Sequence, residues 1–104
     1  MGYIYLIKSD INGYITYKIG KTSRLPKDRM EELSTGNAGN MKVIYSYETP
    51  NYSKLESILH YHYKRFHINK EWFNDNIDLE DFKMWCKKWD DTISSLRNMG
   101  NPFI

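Results

Sequence analysis

The hydrophobic positions near the start of the chain fall into two short runs that predict a β-hairpin. Strand-forming residues fill 3–7 and again 14–20, and the dipeptide Asn12-Gly13 separates the two runs. Asparagine and glycine both accept the positive φ angles that a two-residue hairpin turn requires. We therefore predict two short antiparallel strands joined by a tight turn.

The rest of the chain predicts three helices and one more strand. Pro26 suits the first turn of a helix, which is predicted over 25–33. A third strand is predicted over 41–47, and a helix over 53–66 follows, with Ser53 as its cap. The last helix is amphipathic, with these apolar residues at helical spacing: Phe82, Trp85, Trp89, Ile93 and Leu96. The order β-β-α-β-α-α predicts an α+β fold, a small three-stranded antiparallel sheet flanked by helices.

The length of the chain predicts a single domain. Its 104 residues lie at the lower end of the usual domain size. We expect the domain to span 1–104, with 77–104 forming an amphipathic C-terminal helix packed on the core. Acidic residues from Asp78 onward suit the positive N-terminus of that helix, and Gly100 ends it.

Composition and charge narrow the function classes only slightly. The net charge of +2 and the pI near 8.6 are too mild to indicate nucleic-acid binding by themselves. Cys86 is the single cysteine, which excludes an internal disulfide and fits a reducing compartment. We find neither a secretory signal nor a segment with the roughly 20 apolar residues of a membrane span. The expected protein is intracellular, cytoplasmic or nuclear, with no membrane partner.

The hairpin register brings two side chains of chemical interest together. With the turn placed as above, Tyr5 lies opposite Gly20, and Lys18 is its diagonal neighbour on the same face. Gly20 leaves space beside the ring of Tyr5, and a nearby ammonium would favour the phenolate form of that residue. The alternative is an ordinary sheet aromatic beside a solvated lysine.

Two charged residues fall on the apolar faces of predicted helices. Arg29 lies four residues from both Leu25 and Leu33, so its guanidinium would face inward and meet a phosphate, or would snorkel to the rim. Glu56 falls within the apolar stripe of the next helix, where it would meet a cation or act as the capping-box partner of Ser53. A base, its activator, a phosphate clamp and a metal ligand are the groups that phosphodiester hydrolysis uses.

These residues occur in the order found in a known nuclease family. The segment Tyr3-Ile4-Tyr5, the Asn-Gly turn and the segment Lys18-Ile19-Gly20 resemble the paired motifs of the GIY-YIG nuclease superfamily. Arg29 follows on the next predicted helix, and Glu56 opens the helix after it. The resemblance covers most of the chain and implies the GIY-YIG-like fold of a nuclease domain.

Two positions depart from the family pattern. Tyr3 replaces the motif glycine, and Lys18 replaces the second motif tyrosine, which leaves Tyr5 as the motif tyrosine able to act. The segment Glu71-Trp72-Phe73 resembles the ending of a phage and viral branch, and Lys-Ile-Gly for Tyr-Ile-Gly fits that branch. The resemblance therefore points to a virus- or phage-encoded member.

The resemblance implies a role for each matching residue. Tyr5 would act as the general base or would orient the attacking water, and Arg29 would clamp the scissile phosphate. Lys18 and Lys21 would support Tyr5 or contact the same phosphate. Glu56 would bind Mg²⁺ or Mn²⁺, and the metal would stabilise the developing charge and the leaving oxygen.

Further residues are candidates for contacts to nucleic acid. His60 lies one helical turn after the expected metal ligand and would orient it or touch a phosphate, and Lys64 and Arg65 follow near the same helix end. Many members of the superfamily use an asparagine late in the domain. Asn74 and Asn76 are the candidates here, and Asn74 is counted among the nucleic-acid contacts.

Three functions follow from these observations. The leading hypothesis is a metal-dependent endonuclease that hydrolyses nucleic-acid phosphodiester bonds, in DNA rather than RNA. The alternative is a catalytically weak or inactive nucleic-acid-binding module of the same fold, which the substitution at Lys18 favours. A third hypothesis is a domain that binds a protein partner, or a second copy of itself, through the C-terminal helix.

Overall fold

The computed structural model describes residues 1–25 and 40–100, and these form five strands and two helices. The strands are β1 (Gly2–Ile11), β2 (Tyr14–Thr22), β3 (Asn40–Thr49), β4 (His67–Asn69) and β5 (Trp72–Phe73). The helices are α1 (Tyr52–His62) and α2 (Leu79–Asn98), and a 3₁₀ turn (Lys64–Phe66) joins α1 to β4. The predicted α+β class is confirmed.

The hairpin of β1 and β2 has the register predicted from its turn. Tyr5 pairs with Gly20, and Lys18 lies diagonally from Tyr5 on the same face. The turn residues Asn12 and Gly13 have φ angles of +53° and +86°, the left-handed conformation that these residue types tolerate. The turn therefore fixes which side chains share a face.

The sheet has five strands within the described residues, not the predicted three. The strand order is β3-β1-β2-β5-β4, and neighbouring strands are antiparallel. The two additional strands come from 67–73, a segment that the sequence pattern leaves unassigned. They are only three and two residues long, too short for a periodic signal. They form because Trp72 and Phe73 pair with the middle of β2.

Both helices pack on one face of the sheet and form the core with it. Ile4, Leu6 and Ile19 of the strands are fully buried there, against Leu55 and Leu59 of α1. The same cluster contains Tyr63, Phe73, Ile77, Phe82, Cys86 and Ile93. Successive strand residues point to opposite faces, so the side chains between these strand positions lie on the other face of the sheet.

The predicted capping box at the start of α1 is wrong. The helix begins after Asn51, whose side chain makes no cap hydrogen bond in the described part of the chain. Ser53 instead accepts a hydrogen bond from Lys21 Nζ at 2.8 Å. Glu56 is therefore not a capping residue. The helix also ends earlier than predicted, at His62, where the chain tightens into the 3₁₀ turn.

Helix α2 begins where the sequence predicts and turns its apolar face to the core. Asp78 Oδ2 accepts a hydrogen bond from Asp81 N at 2.9 Å, which caps the helix. Its buried residues are Phe82, Cys86 and Ile93. Burial raises the pKa of the Cys86 thiol to about 12. A partner surface on α2 would have to use positions outside this apolar face.

A hydrogen-bonded cluster around Asp90 joins α2 to the end of β3 and the start of α1. The carboxylate accepts from Tyr47 Oη at 2.7 Å, Thr49 Oγ1 at 2.7 Å and Asn51 Nδ2 at 2.9 Å. Burial opposes ionisation of Asp90, but these hydrogen bonds, with the charge of Lys87, hold the pKa of its carboxyl below the usual value. The cluster therefore favours an ionised Asp90.

Some expectations fall outside the described residues. The part of the predicted helix over 25–33 that follows Leu25 lies outside them, and Arg29 is in that part. Leu25 itself is 50% exposed. In the two described stretches, neither helix is long and apolar enough to cross a membrane.

Candidate active site

The site begins where the ring of Tyr5 packs on Gly20. A Cβ atom at residue 20 would overlap Cζ and the hydroxyl of Tyr5. Tyr5 is only 2% exposed, so the hydroxyl lies in a closed environment against the backbone of β2. This close approach requires glycine at position 20 and keeps Tyr5 beside the second half of β2.

Lys18 forms an ion pair with Glu71, a residue to which the sequence pattern assigns no role. Its Nζ lies 3.3 Å from Glu71 Oε2, and its side chain is 11% exposed. Glu71 reaches this place because Trp72 pairs with Lys18 and the Glu71 carbonyl accepts a hydrogen bond from Ile19 N at 3.1 Å. The only sequence signal was the position of Glu71 in the segment Glu71-Trp72-Phe73.

Glu56 and His60 lie on the side of α1 that approaches β2. His60 Nε2 is 2.9 Å from the carbonyl oxygen of Ile19 and 3.9 Å from Glu56 Oε1. A carbonyl oxygen only accepts, so His60 Nε2 carries the proton and donates it to Ile19. This hydrogen bond holds the imidazole against the strand beside the Glu56 carboxylate.

The surroundings of Glu56 make its charge costly. Burial raises the pKa of Glu56, and the negative charge of Glu71 adds to the rise, while His60 and Lys21 oppose it. The side chain is 13% exposed. A carboxylate held in this way is stabilised by any cation that reaches it. The charge of Lys21, which donates to Ser53, acts on Glu56 in this way.

A family model matches residues 2–90, most of the chain, and it is the model of the T5orf172 domain. The chain belongs to the T5orf172 domain family. T5orf172 domains are a nuclease-like, nucleic-acid-binding kind of domain, so a function connected with nucleic acid follows from membership. Neither a curated protein nor a solved structure matches the chain.

The match corrects the resemblance stated from the sequence. The family model that fits the chain is that of the T5orf172 domain and not a GIY-YIG model, so the assignment to the GIY-YIG superfamily is wrong. The short motifs at 3–5 and 18–20 lie on a real hairpin, but such a hairpin is too small to decide between families. The positions of the side chains remain, because they come from this structure.

The T5orf172 domain brings several of the predicted residues together. Lys21, Glu56 and His60 lie together on the helix-covered face beside the second half of β2. Lys18 projects from the opposite face, where it pairs with Glu71, and the charge of Glu71 also acts on Glu56. Tyr5 lies against Gly20 on the same face of the sheet as Lys18. Arg29 lies outside the described residues, so its predicted place at the phosphate remains a prediction.

Three other predicted contacts lie elsewhere. Lys64 Nζ is 4.1 Å from the ring centroid of Tyr61, and Arg65 Cζ is 4.9 Å from that of Phe66, beyond the end of α1. Asn74 Oδ1 accepts a hydrogen bond from the Asn76 backbone at 2.9 Å, which closes a local turn. Asn74 directly follows β5, and its backbone N–H donates to the Phe66 carbonyl at 2.8 Å.

The described residues of the T5orf172 domain offer few ligands for a divalent metal ion. Residues 1–25 and 40–100 contain no group of three or more histidine, cysteine, aspartate or glutamate side chains placed to hold a cation. Glu56 offers one carboxylate, with Glu71 near enough to influence its ionisation. Mg²⁺ accepts such a site, since it commonly keeps several waters and binds one or two carboxylates together with substrate phosphates.

Proposed function

We propose that this T5orf172 domain is a divalent-metal-dependent endonuclease that hydrolyses phosphodiester bonds in DNA. The observation that carries the proposal is the half-buried Glu56 carboxylate beside β2, with its raised pKa and with His60 fixed against it. Perturbed ionisable groups cluster at functional sites, because the environment that perturbs them also readies them for a ligand.

Glu56 would hold Mg²⁺ or Mn²⁺, and the bound ion would stabilise negative charge that develops on the phosphate oxygens. The ionised form of Glu56 is the one that binds a cation, and burial disfavours that form in the free protein. His60 keeps its imidazole beside the carboxylate through the hydrogen bond to Ile19, so it positions Glu56.

The two lysines of β2 would attract the substrate phosphate, Lys21 from the face of the sheet that carries Glu56 and Lys18 from the other face. Lys21 is exposed and lies at the start of α1, where Ser53 holds its ammonium at 2.8 Å. Lys18 is largely buried, and its Nζ forms an ion pair with Glu71 Oε2 at 3.3 Å. An anionic phosphate would compete with Glu71 for Lys18, so binding of substrate would loosen this ion pair.

Tyr5 would orient the attacking water or accept its proton. Its hydroxyl lies against Gly20, on the face that carries Lys18. The close approach to the strand holds the ring in place, and this fixes the position of the hydroxyl oxygen. Arg29 would add a guanidinium to the phosphate, as the sequence predicts.

The second candidate function is a nucleic-acid-binding module without cleavage. The ion pair of Lys18 with Glu71 favours it, because a lysine neutralised by a carboxylate activates a neighbouring tyrosine less well. In that case, binding would persist while turnover would be absent under all metal conditions.

Cleavage of supercoiled plasmid with Mg²⁺, with Mn²⁺ or with EDTA tests the proposal. The wild-type protein should nick the plasmid with either metal and not with EDTA. Glu56→Gln should reduce the rate at least about 100-fold, since a metal that stabilises the transition state contributes several kcal/mol. Glu80→Gln is the matched control, because the Glu80 side chain is 80% exposed at the start of α2.

Either of two results would contradict a part of the proposal. Cleavage by Glu56→Gln at the wild-type rate would remove Glu56 from the metal site. Plasmid binding by the wild-type protein, without nicking in either metal, would establish the binding module instead.

A further inference from the structure

A groove runs between the two helices, away from the candidate active site. Tyr63, just after α1, donates to Asp81 near the start of α2 at 2.7 Å, and Asn51, just before α1, donates to Ser94 near the end of α2 at 3.0 Å. The helices are therefore antiparallel. Their outer sides leave open a cavity of about 550 Å³, lined by Ser57, Ile58, Tyr61, His62, Lys64 and Trp89.

The walls of this cavity are aromatic. Tyr61 is 71% exposed, and Lys64 Nζ lies 4.1 Å from its ring centroid. On the opposite wall, His62 lies 4.5 Å from Trp85 between ring centroids, and Trp85 stacks on Trp89 at 5.9 Å. The residues that line the cavity include a lysine and no carboxylate. This surface combines rings open to stacking with a positive charge.

A second, polar cavity adjoins the first at Ser57, which lines both. Its volume is about 350 Å³, and Ser53, Lys54 and Arg97 are among the residues that line it. Arg97 donates to Asn51 Oδ1, which fixes its guanidinium at this end of the groove. The groove thus has cations at both ends and aromatic rings along the α1–α2 side.

We infer that this groove binds a single-stranded segment of nucleic acid. An unpaired base would stack on the Tyr61 side of the aromatic cavity, and the flanking phosphates would meet Lys64 at one end and Arg97 at the other. Cationic grooves that carry aromatic side chains bind single strands in this way, because every base has a face that stacks. The inference rests on the proposed function only in that the ligand is nucleic acid.

The indole of Trp89 offers the groove a hydrogen-bond donor for the edge of a base. Its N–H is buried and has no hydrogen-bond partner among the described residues. Bases carry carbonyl oxygens and ring nitrogens that accept hydrogen bonds, so a small shift of the indole upon binding would satisfy this donor. An aliphatic occupant of the same cavity would leave it unpaired.

The groove and the candidate active site lie on different flanks of α1. Glu56 and His60 face β2, whereas Ile58 and His62 face α2. The helix between them is about 10–12 Å across with its side chains. A single strand held in the groove would therefore lie across α1 from Glu56, about one helix diameter away.

Binding of a fluorescein-labelled single-stranded oligonucleotide in EDTA, followed by anisotropy, tests the inference. Tyr61→Ala should weaken binding about 5- to 100-fold, the range expected for loss of one base–aromatic stack. Tyr14→Ala is the matched control, since Tyr14 is 65% exposed in the β1–β2 hairpin. It should bind as the wild-type protein does, and both substitutions are at exposed positions that should not disturb folding.

An abasic oligonucleotide of the same length provides a second test. It keeps the phosphates and lacks the rings, so it should bind the wild-type protein weakly and should be insensitive to Tyr61→Ala. The inference is overturned if Tyr61→Ala binds the normal oligonucleotide as tightly as Tyr14→Ala does, or if the abasic strand binds equally well.

Plasmid cleavage separates this inference from the proposed function. Binding in EDTA that depends on Tyr61, without any nicking by the wild-type protein, would support the groove and refute the nuclease. Nicking by the wild-type protein, with single-strand binding that ignores Tyr61, would support the nuclease and refute the groove.

Discussion

Asp90 and Glu56 are both half-buried carboxylates, but their surroundings differ in what they offer a negative charge. Asp90 accepts three hydrogen bonds from neighbouring polar side chains, and its pKa is lowered. Among the described residues, Glu56 Oε1 has the His60 imidazole 3.9 Å away, and the pKa of Glu56 is raised.

The contrast separates a structural acid, Asp90, from the acid that we propose as a metal ligand, Glu56. Asp90 has its acceptor capacity filled by the protein, so it holds β3, α1 and α2 together and has little to offer a ligand. Glu56 keeps capacity that the described residues do not fill, so an incoming cation would gain most there. The number of hydrogen-bond donors around a carboxylate thus decides whether it is satisfied by the protein or left open to a cation.

The largest effect on stability is expected from Asp90→Asn. The substitution removes the charge that strengthens three hydrogen bonds and leaves donors of Tyr47 and Thr49 poorly matched. The free energy of unfolding should fall by about 2–3 kcal/mol, the scale of hydrogen bonds to a charged group. Urea unfolding at neutral pH measures it. A loss as small as that of an exposed control, Asp91→Asn, would show that the cluster contributes little.

An intermediate effect is expected when Mg²⁺ is added. At a concentration ten times its dissociation constant, a ligand that binds only the folded state stabilises it by about 1.4 kcal/mol. The melting temperature of the wild-type protein and of Asp90→Asn should therefore rise by a few degrees with Mg²⁺, relative to metal-free buffer with EDTA. Glu56→Gln should show no rise. An equal rise in Glu56→Gln would place the cation elsewhere.

The smallest effect is expected from Glu56→Gln without metal. The folded protein binds a proton at Glu56 more tightly than the unfolded chain does, because the pKa is raised. Glu56 thus stabilises the folded state most at low pH, and this stabilisation is lost as the pH rises through the pKa that Glu56 has in the folded protein. At neutral pH, the variant should equal the wild type or exceed it by up to about 1 kcal/mol.

The pH dependence should have the opposite sign at Asp90. Its pKa is lowered in the folded state, so its contribution is present above the unfolded pKa and is lost as the pH falls through the folded pKa. Urea unfolding at acidic and neutral pH checks both signs. If the stability difference between each variant and the wild type shifted in the same direction with pH, the contrast between the two acids would fail.

Local signals in the sequence predicted the hairpin, because turn chemistry and a period of two leave one register in which Tyr5 faces Gly20. The start of α2 was equally local, since Asp78 caps it through its own side chain. Pairing over long range was not predictable in this way. Strand β5 exists because β2 is beside it, and Glu71 reaches Lys18 only through that pairing.

The same limit explains the errors around α1 and Asp90. Ser53 has the residue type of a cap, but Lys21 of β2, brought close by the fold, takes its hydroxyl. The donors to Asp90 come from residues about 40 positions earlier in the chain, a separation at which residue patterns carry no information. Family membership likewise required the whole span 2–90 and not two motifs.

The single cysteine of the protein lies where its reactivity can report how often the domain opens. Cys86 is fully buried on α2, and at neutral pH its pKa of about 12 leaves almost no reactive thiolate. A soluble disulfide reagent would meet it only when the second helix lifts from the sheet. Its labelling rate would thus report how often that separation happens, with no dye or tag added to the chain.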